Sequence, residues 1–112
     1  MKSGIEIITD ERNRQLTELG FTPANDNNHN AGQMANAAGV YAHHAAFQSG
    51  ILEDPSDGFN YGKSGRPDWW PWDVSWFKPS RSRIRNLAKA GALIAAEIDR
   101  LNRLAEEEGE DV

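Results

Sequence analysis

Four tryptophans fall within eight residues, Trp69, Trp70, Trp72 and Trp76, and a run of cations follows at once: Lys78, Arg81, Arg83, Arg85 and Lys89. No acidic residue lies between Lys78 and Lys89. Indole faces offer stacking surface to a base, a sugar or a peptide, and base–aromatic stacking is worth ~1–3 kcal/mol per base. Cationic side chains, the Ser80 and Ser82 hydroxyls and the free N–H groups of a helix start can converge on phosphate or carboxylate. Together these residues form a candidate site for a nucleotide-like anionic small molecule. Trp70, Trp72 or Trp76 would stack on the base, and Lys78, Arg83, Arg85 and Lys89 would meet the phosphate. The alternative use of the tryptophans is as core, since indoles are highly buried on average. Adjacent residues of an extended loop point to different sides, so the expectation is a divided loop.

A second polar cluster, Asn25, Asp26, Asn27, Asn28, His29 and Asn30, precedes an alanine-rich stretch. Asx side chains fold loops by bonding local backbone. Asp26 could also orient His29 toward a ligand such as a ribose, or toward proton transfer. His43 and His44 are adjacent on a helix and point about 100° apart, and no Cys or H-x-x-x-H spacing supports a metal centre. No Ser-His-Asp arrangement, P-loop or G-x-G-x-x-G is present, so no catalytic residue, metal or cofactor is assigned.

Three helices would position these residues. Ser3 and Glu6 have capping-box spacing, and Ile5, Ile8, Arg12, Leu16 and Leu19 recur at helical intervals, which predicts a helix over 3–19 stopped by Gly20. A second helix is expected over about 30–48, with Met34, Ala37, Ala38, Tyr41, Ala45 and Gln48 on one face. The last helix, capped by Ser80 or Ser82, carries Ile84, Leu87, Gly91, Ile94, Ile98, Leu101 and Ala105 in alternating steps of three and four. Whether that seam packs within the chain or against another copy is open at this level, so a homo-oligomer is one reading. A buried Glu97 would pair with Arg12 or Arg14. The fold class is all-α: a small three-helix domain over 1–105 with a long aromatic-rich loop between the second and third helices, then an acidic tail over 106–112. Within the loop, 53–66 reads as the mobile part and 69–77 as packed.

The 112 residues bound one modest core. The formal charge is −5, but Glu106, Glu107, Glu108, Glu110 and Asp111 carry it, and the body is left with 12 acidic against 12 basic residues. A neutral body with one cationic patch admits an anionic ligand and argues against direct nucleic-acid binding. There is no cysteine, no run of ~20 apolar residues for a membrane span, and no signal-peptide pattern at the start. The chain is therefore expected in the cytoplasm.

The block Trp69-Trp70-Pro71-Trp72-Asp73, Trp76, Lys78-Pro79, Arg85-Asn86-Leu87, Lys89-Ala90-Gly91-Ala92-Leu93-Ile94, Ala96-Glu97-Ile98 and Arg100-Leu101 resembles a family of small uncharacterised proteins of bacteriophages and prophages. The first half is similar too, through Glu11-Arg12, Gln15, Gly20-Phe21-Thr22-Pro23, Asp26 and His29, so the resemblance spans most of the chain outside 50–67. That half also resembles the opening of ryanodine-receptor repeat domains, with Phe21 where a tryptophan is usual and Asn25 where a second acid is usual. The resemblance implies a phage protein acting in the host cytoplasm. Ryanodine-repeat-like domains in bacterial defence sense nucleotide signals, and a phage relative would bind such a signal and withhold it. The competing expectation is a protein-interaction module, in which the tryptophan loop or the seam of the last helix docks on a host or phage protein. Cleavage of the nucleotide through His29 and Asp26 ranks below both.

Overall fold

The computed structural model describes residues 1–49 and 69–109. The expected mobile part of the loop, residues 53–66, and its aromatics Phe59 and Tyr61 lie outside the described residues.

The capping box forms as its spacing predicts. The Ser3 hydroxyl accepts from the Glu6 N–H, the Glu6 carboxylate accepts from the Ser3 N–H, and helix α1 runs over Gly4–Thr17. Gly20, at φ +70°, turns the chain out of it. A single helical turn follows that the sequence pattern does not reveal, α2 at Pro23–Asp26. Thr22 caps it and Pro23 starts it, a position where the missing proline N–H costs nothing. Helix α3 covers Gln33–Phe47. It begins three residues later than expected because Gly32 takes the left-handed conformation, φ +83°, and interrupts any earlier helix. A 3₁₀ turn at Val74–Trp76 organises the aromatic loop, and α4 spans Arg83–Glu107 with Ser82 as its cap. The helix thus continues into the first two residues of the acidic tail. Among the described residues the fold is all-α, with three long helices, one short α-helical turn and one 3₁₀ turn, and no strand. No helix among them is long and apolar enough to cross a membrane.

Helix α3 packs along α4, with α1 against another side of α4 and α2 touching it. The core consists of Ala37, Ala38, Val40 and Tyr41 of α3 against Ala90 and Leu93 of α4, with Trp70 between the elements. Small residues let the two helices approach closely, and the bulk they lack comes from the loop. Trp70 is 2 % exposed. It meets Tyr41 edge-on at 5.6 Å and Phe77 at 5.0 Å, and its indole N–H donates to the Asp73 carbonyl at 3.0 Å.

Two helix faces differ from a simple amphipathic reading. The buried residues of α1 are Glu11 and Gln15, both polar. The inward face of α4 is Asn86, Ala90, Leu93, Ala96 and Arg100, with Ala88 and Ala92 beside it. Its heptad aliphatics, Ile84, Leu87, Ile94, Ile98 and Leu101, are between 47 and 63 % exposed. Gly91 is the exception, because Ile8 of α1 lies over it, and a Cβ there would sit 2.6 Å from the Ile8 Cδ1. Glu97 pairs with Arg100 one turn on, rather than with α1. Arg12 is committed to Asp26 and Arg14 to Glu11.

Candidate ligand-binding cleft

Between α1, the aromatic loop and the start of α4 lies a cleft of about 730 Å³, within the ≈ 300–1,000 Å³ range of small-molecule sites. Each wall has a local cause. Helix α1 presents Glu11, Arg14 and Gln15. Arg14 grips Glu11 through Nε, 3.1 and 3.0 Å from the two carboxylate oxygens, and through Nη2 at 2.6 Å. That hydrogen bonding raises the Arg14 pKa above its ordinary value, and the Coulombic pull of Glu11 adds to it against the cost of burial. Glu11 is therefore a saturated carboxylate rather than a free one.

The aromatic wall comes from the loop. Trp72 stands at 88° to Trp70 with ring centres 5.4 Å apart, half-buried, and its other neighbour is the His29 imidazole at 5.0 Å. Its indole N–H is buried with no acceptor among the described residues. Trp76 is 61 % exposed at the rim. The Asp73 carboxylate caps the 3₁₀ turn between Trp72 and Trp76 by accepting from the Ser75 N–H, 2.9 Å. Trp69 is also exposed but does not line the cleft.

The cationic wall joins loop and helix. The Tyr41 hydroxyl accepts from the Lys78 N–H at 3.1 Å, which ties the loop to α3. Burial raises the Tyr41 pKa, so the hydroxyl stays protonated and neutral. The Lys89 ammonium donates to the Lys78 carbonyl at 2.6 Å and lies 5.5 Å from the Tyr41 ring centre. Burial lowers its pKa from the ordinary 10.5, and repulsion from Arg85 lowers it further. Arg85 completes the set. The lining holds four cations, Arg14, Lys78, Arg85 and Lys89, against two carboxylates, Glu11 and Asp73, both already engaged.

Seven of the nine residues picked from sequence line this one cleft: His29, Trp70, Trp72, Trp76, Lys78, Arg85 and Lys89. Two do not. Asp26 is 2 % exposed and takes the Arg12 guanidinium at 3.1 Å. It meets His29 only through its backbone carbonyl, which accepts the His29 N–H at 2.9 Å. Arg83 points away from the cleft into solvent. Trp70 lines the floor from within the core. Among the lining residues that sequence reasoning missed are Glu11, Arg14, Gln15 and Tyr41. A signal existed for two of them: Glu11 and Gln15, one turn apart, are polar residues on the side of α1 that faces the protein. Among the described residues, no group of three His, Cys, Asp or Glu side chains could hold a metal ion.

Comparison with models of known families, with characterised proteins and with solved structures finds no match to this chain.

Proposed function

We propose that the protein binds and sequesters a nucleotide-derived signalling molecule, and that it does so as a phage-encoded counter-defence sponge in the host cytoplasm. The observation that carries the reading is the composition of the cleft: Trp72 and Trp76 share one cavity with Lys78, Arg85 and Lys89. A base needs an aromatic face and a phosphate needs convergent cations, and the cleft offers both at nucleotide scale. Trp76, exposed at the rim, is free to cover a bound base. The unsatisfied Trp72 N–H is a donor that a ligand acceptor would engage after a small ring rotation, recovering part of the roughly 1–3 kcal/mol that an unpaired buried group costs. Both carboxylates in the cleft are occupied, which favours binding over acid–base chemistry. The phage setting and the immune signal come from the resemblance of the Trp69–Leu101 block and of the first half of the chain, and are fold-level analogy.

The test is titration calorimetry with cyclic mono- and dinucleotides and ADP-ribose derivatives. Binding is expected for at least one class, with release of the intact ligand on heat denaturation. Absence of heat and of thermal shift across the whole panel refutes the reading, and a released product in place of the ligand makes the protein an enzyme.

One observation favours a second reading. Trp69 is 54 % exposed and outside the cleft, as an anchor for a protein partner would be. A partner captured from infected cells and lost on Trp69→Ala, with no nucleotide bound, would select the protein-interaction module instead.

A further inference from the structure

We infer that two copies of this chain associate through the outward face of α4, running antiparallel about a two-fold axis between Ile94 and Ile98. This goes beyond the ligand reading and is independent of it, since Arg85 and Lys89 address the cleft from other sides of the same helix.

The stripe is the first observation. Ile84, Leu87, Ile94, Ile98 and Leu101 are about half exposed, while the buried face of the same helix is mostly alanine with Asn86 and Arg100. A helix that turns its large aliphatics to water has no apolar partner for them among the described residues, and such a stripe marks an interaction surface. The spacing specifies what that partner is. Alternating steps of three and four over a 25-residue helix, about 37 Å long, match the seam of a second helix with the same repeat. The gap at Gly91 is filled by Ile8 of the chain itself, so the apolar strip is continuous.

Charge decides the occupant and its direction. The first turn of α4 holds Arg83 and Arg85 and no acid, with Arg81 just before it, and the last turn holds no base. Cations at a helix start oppose the macrodipole. Among the described residues, neither Arg81 nor Arg83 pairs with a carboxylate. Glu106, Glu107 and Glu108 crowd the other end, where acids are equally misplaced. An antiparallel copy corrects both ends at once. Ile94 and Ile98 flank the helix midpoint, so a two-fold there brings Arg83 of one copy beside Glu108 of the other, one heptad beyond Leu101, and the two helix dipoles oppose. A parallel pair would set arginine against arginine and glutamate against glutamate.

Sedimentation equilibrium of the full chain tests this. A concentration-dependent dimer is expected. The double variant Ile94→Glu, Ile98→Glu is expected to be monomeric with unchanged far-ultraviolet helicity, because both side chains already face solvent. Reversing one end (Arg83→Glu) is expected to weaken the dimer by about tenfold, consistent with the two exposed ion pairs that the two-fold supplies. Adding Glu108→Lys to the same chain restores it. A monomer at every concentration, a trimer or larger assembly, or a dimer that survives the Ile94/Ile98 variant overturns the proposal. Failure of the second reversal to restore the first overturns the antiparallel arrangement.

Discussion

Trp70 and Trp72 meet at right angles, 5.4 Å between ring centres, and that contact divides the loop between folding and binding. Trp70 is enclosed by Tyr41 and Phe77, whereas Trp72 turns toward His29 and the cleft. Replacing Trp70 by Ala is expected to cost about 3–5 kcal/mol by the usual cavity penalty, read by chemical denaturation. Trp76→Ala should leave stability within about 0.5 kcal/mol, as exposed substitutions do, and weaken nucleotide binding at least about fivefold through lost stacking. Calorimetry on that variant separates the two roles.

The loop is also held where it enters α4. Asn86 is fully buried; its amide donates to the Ser80 carbonyl at 2.7 Å and to Gln48 at 2.9 Å, and its oxygen accepts from the Ser80 N–H at 2.8 Å. Asn86→Ala strands these partners and should destabilise the protein by about 3 kcal/mol. Because Arg85 and Lys89 flank it, ligand affinity should fall as well. A thermal melt with normal stability would show that the network contributes little.

Arg12 and Asp26 form a nearly buried pair, at 11 and 2 % side-chain exposure. Asp26 looks like a ligand residue in sequence and instead joins α1 to α2. Removing one partner leaves a buried charge, so Asp26→Ala is expected to cost about 3–5 kcal/mol. Arg12→Ala should do the same. A double variant less destabilised than the sum of the singles would verify the coupling by cycle analysis.

Lys89 gives the cleft a pH dependence. Its pKa is lowered by burial first and by Arg85 second. Between that lowered value and the ordinary 10.5, the folded chain holds fewer protons than the unfolded one, so stability attributable to this group rises with pH across that window. Anion affinity moves the opposite way, falling as the ammonium deprotonates at a pH where an exposed lysine would still be charged. Lys89→Arg keeps its charge throughout and should remove the alkaline loss. Calorimetry across the alkaline range checks both signs.

Local signals were legible where local physics decides. The Ser3–Glu6 box, the alanine face of α3 and the Ser82 cap all follow from spacing and hydrogen-bond chemistry within a few residues. The division of the tryptophans was expected as well, though not which of them would fill the core. Periodicity could not say what covers a face. The α4 repeat was visible as a stripe, yet its outward direction depends on the alternative, smaller face formed by Ala90, Leu93 and Ala96 winning the contact with α3. Shape decided that contest: alanine allows close helix approach, and Trp70 supplies the missing volume. Asp26 was misleading for a similar reason, since a carboxylate beside a histidine in sequence gives no sign of an arginine one helix away.

Gln48, at the end of α3, donates to the Ser80 and Arg81 carbonyls at 3.0 and 3.2 Å. Those bonds, with the one from Asn86, clasp the chain on either side of everything that lies between α3 and α4. A connection closed at its base transmits little of its own length to the helices it joins. Doubling a flexible insert costs only about 0.6 kcal/mol in closure entropy. The pairing of α3 with the start of α4 is therefore set at this clasp, by one glutamine and one asparagine, whatever length of chain joins the two helices.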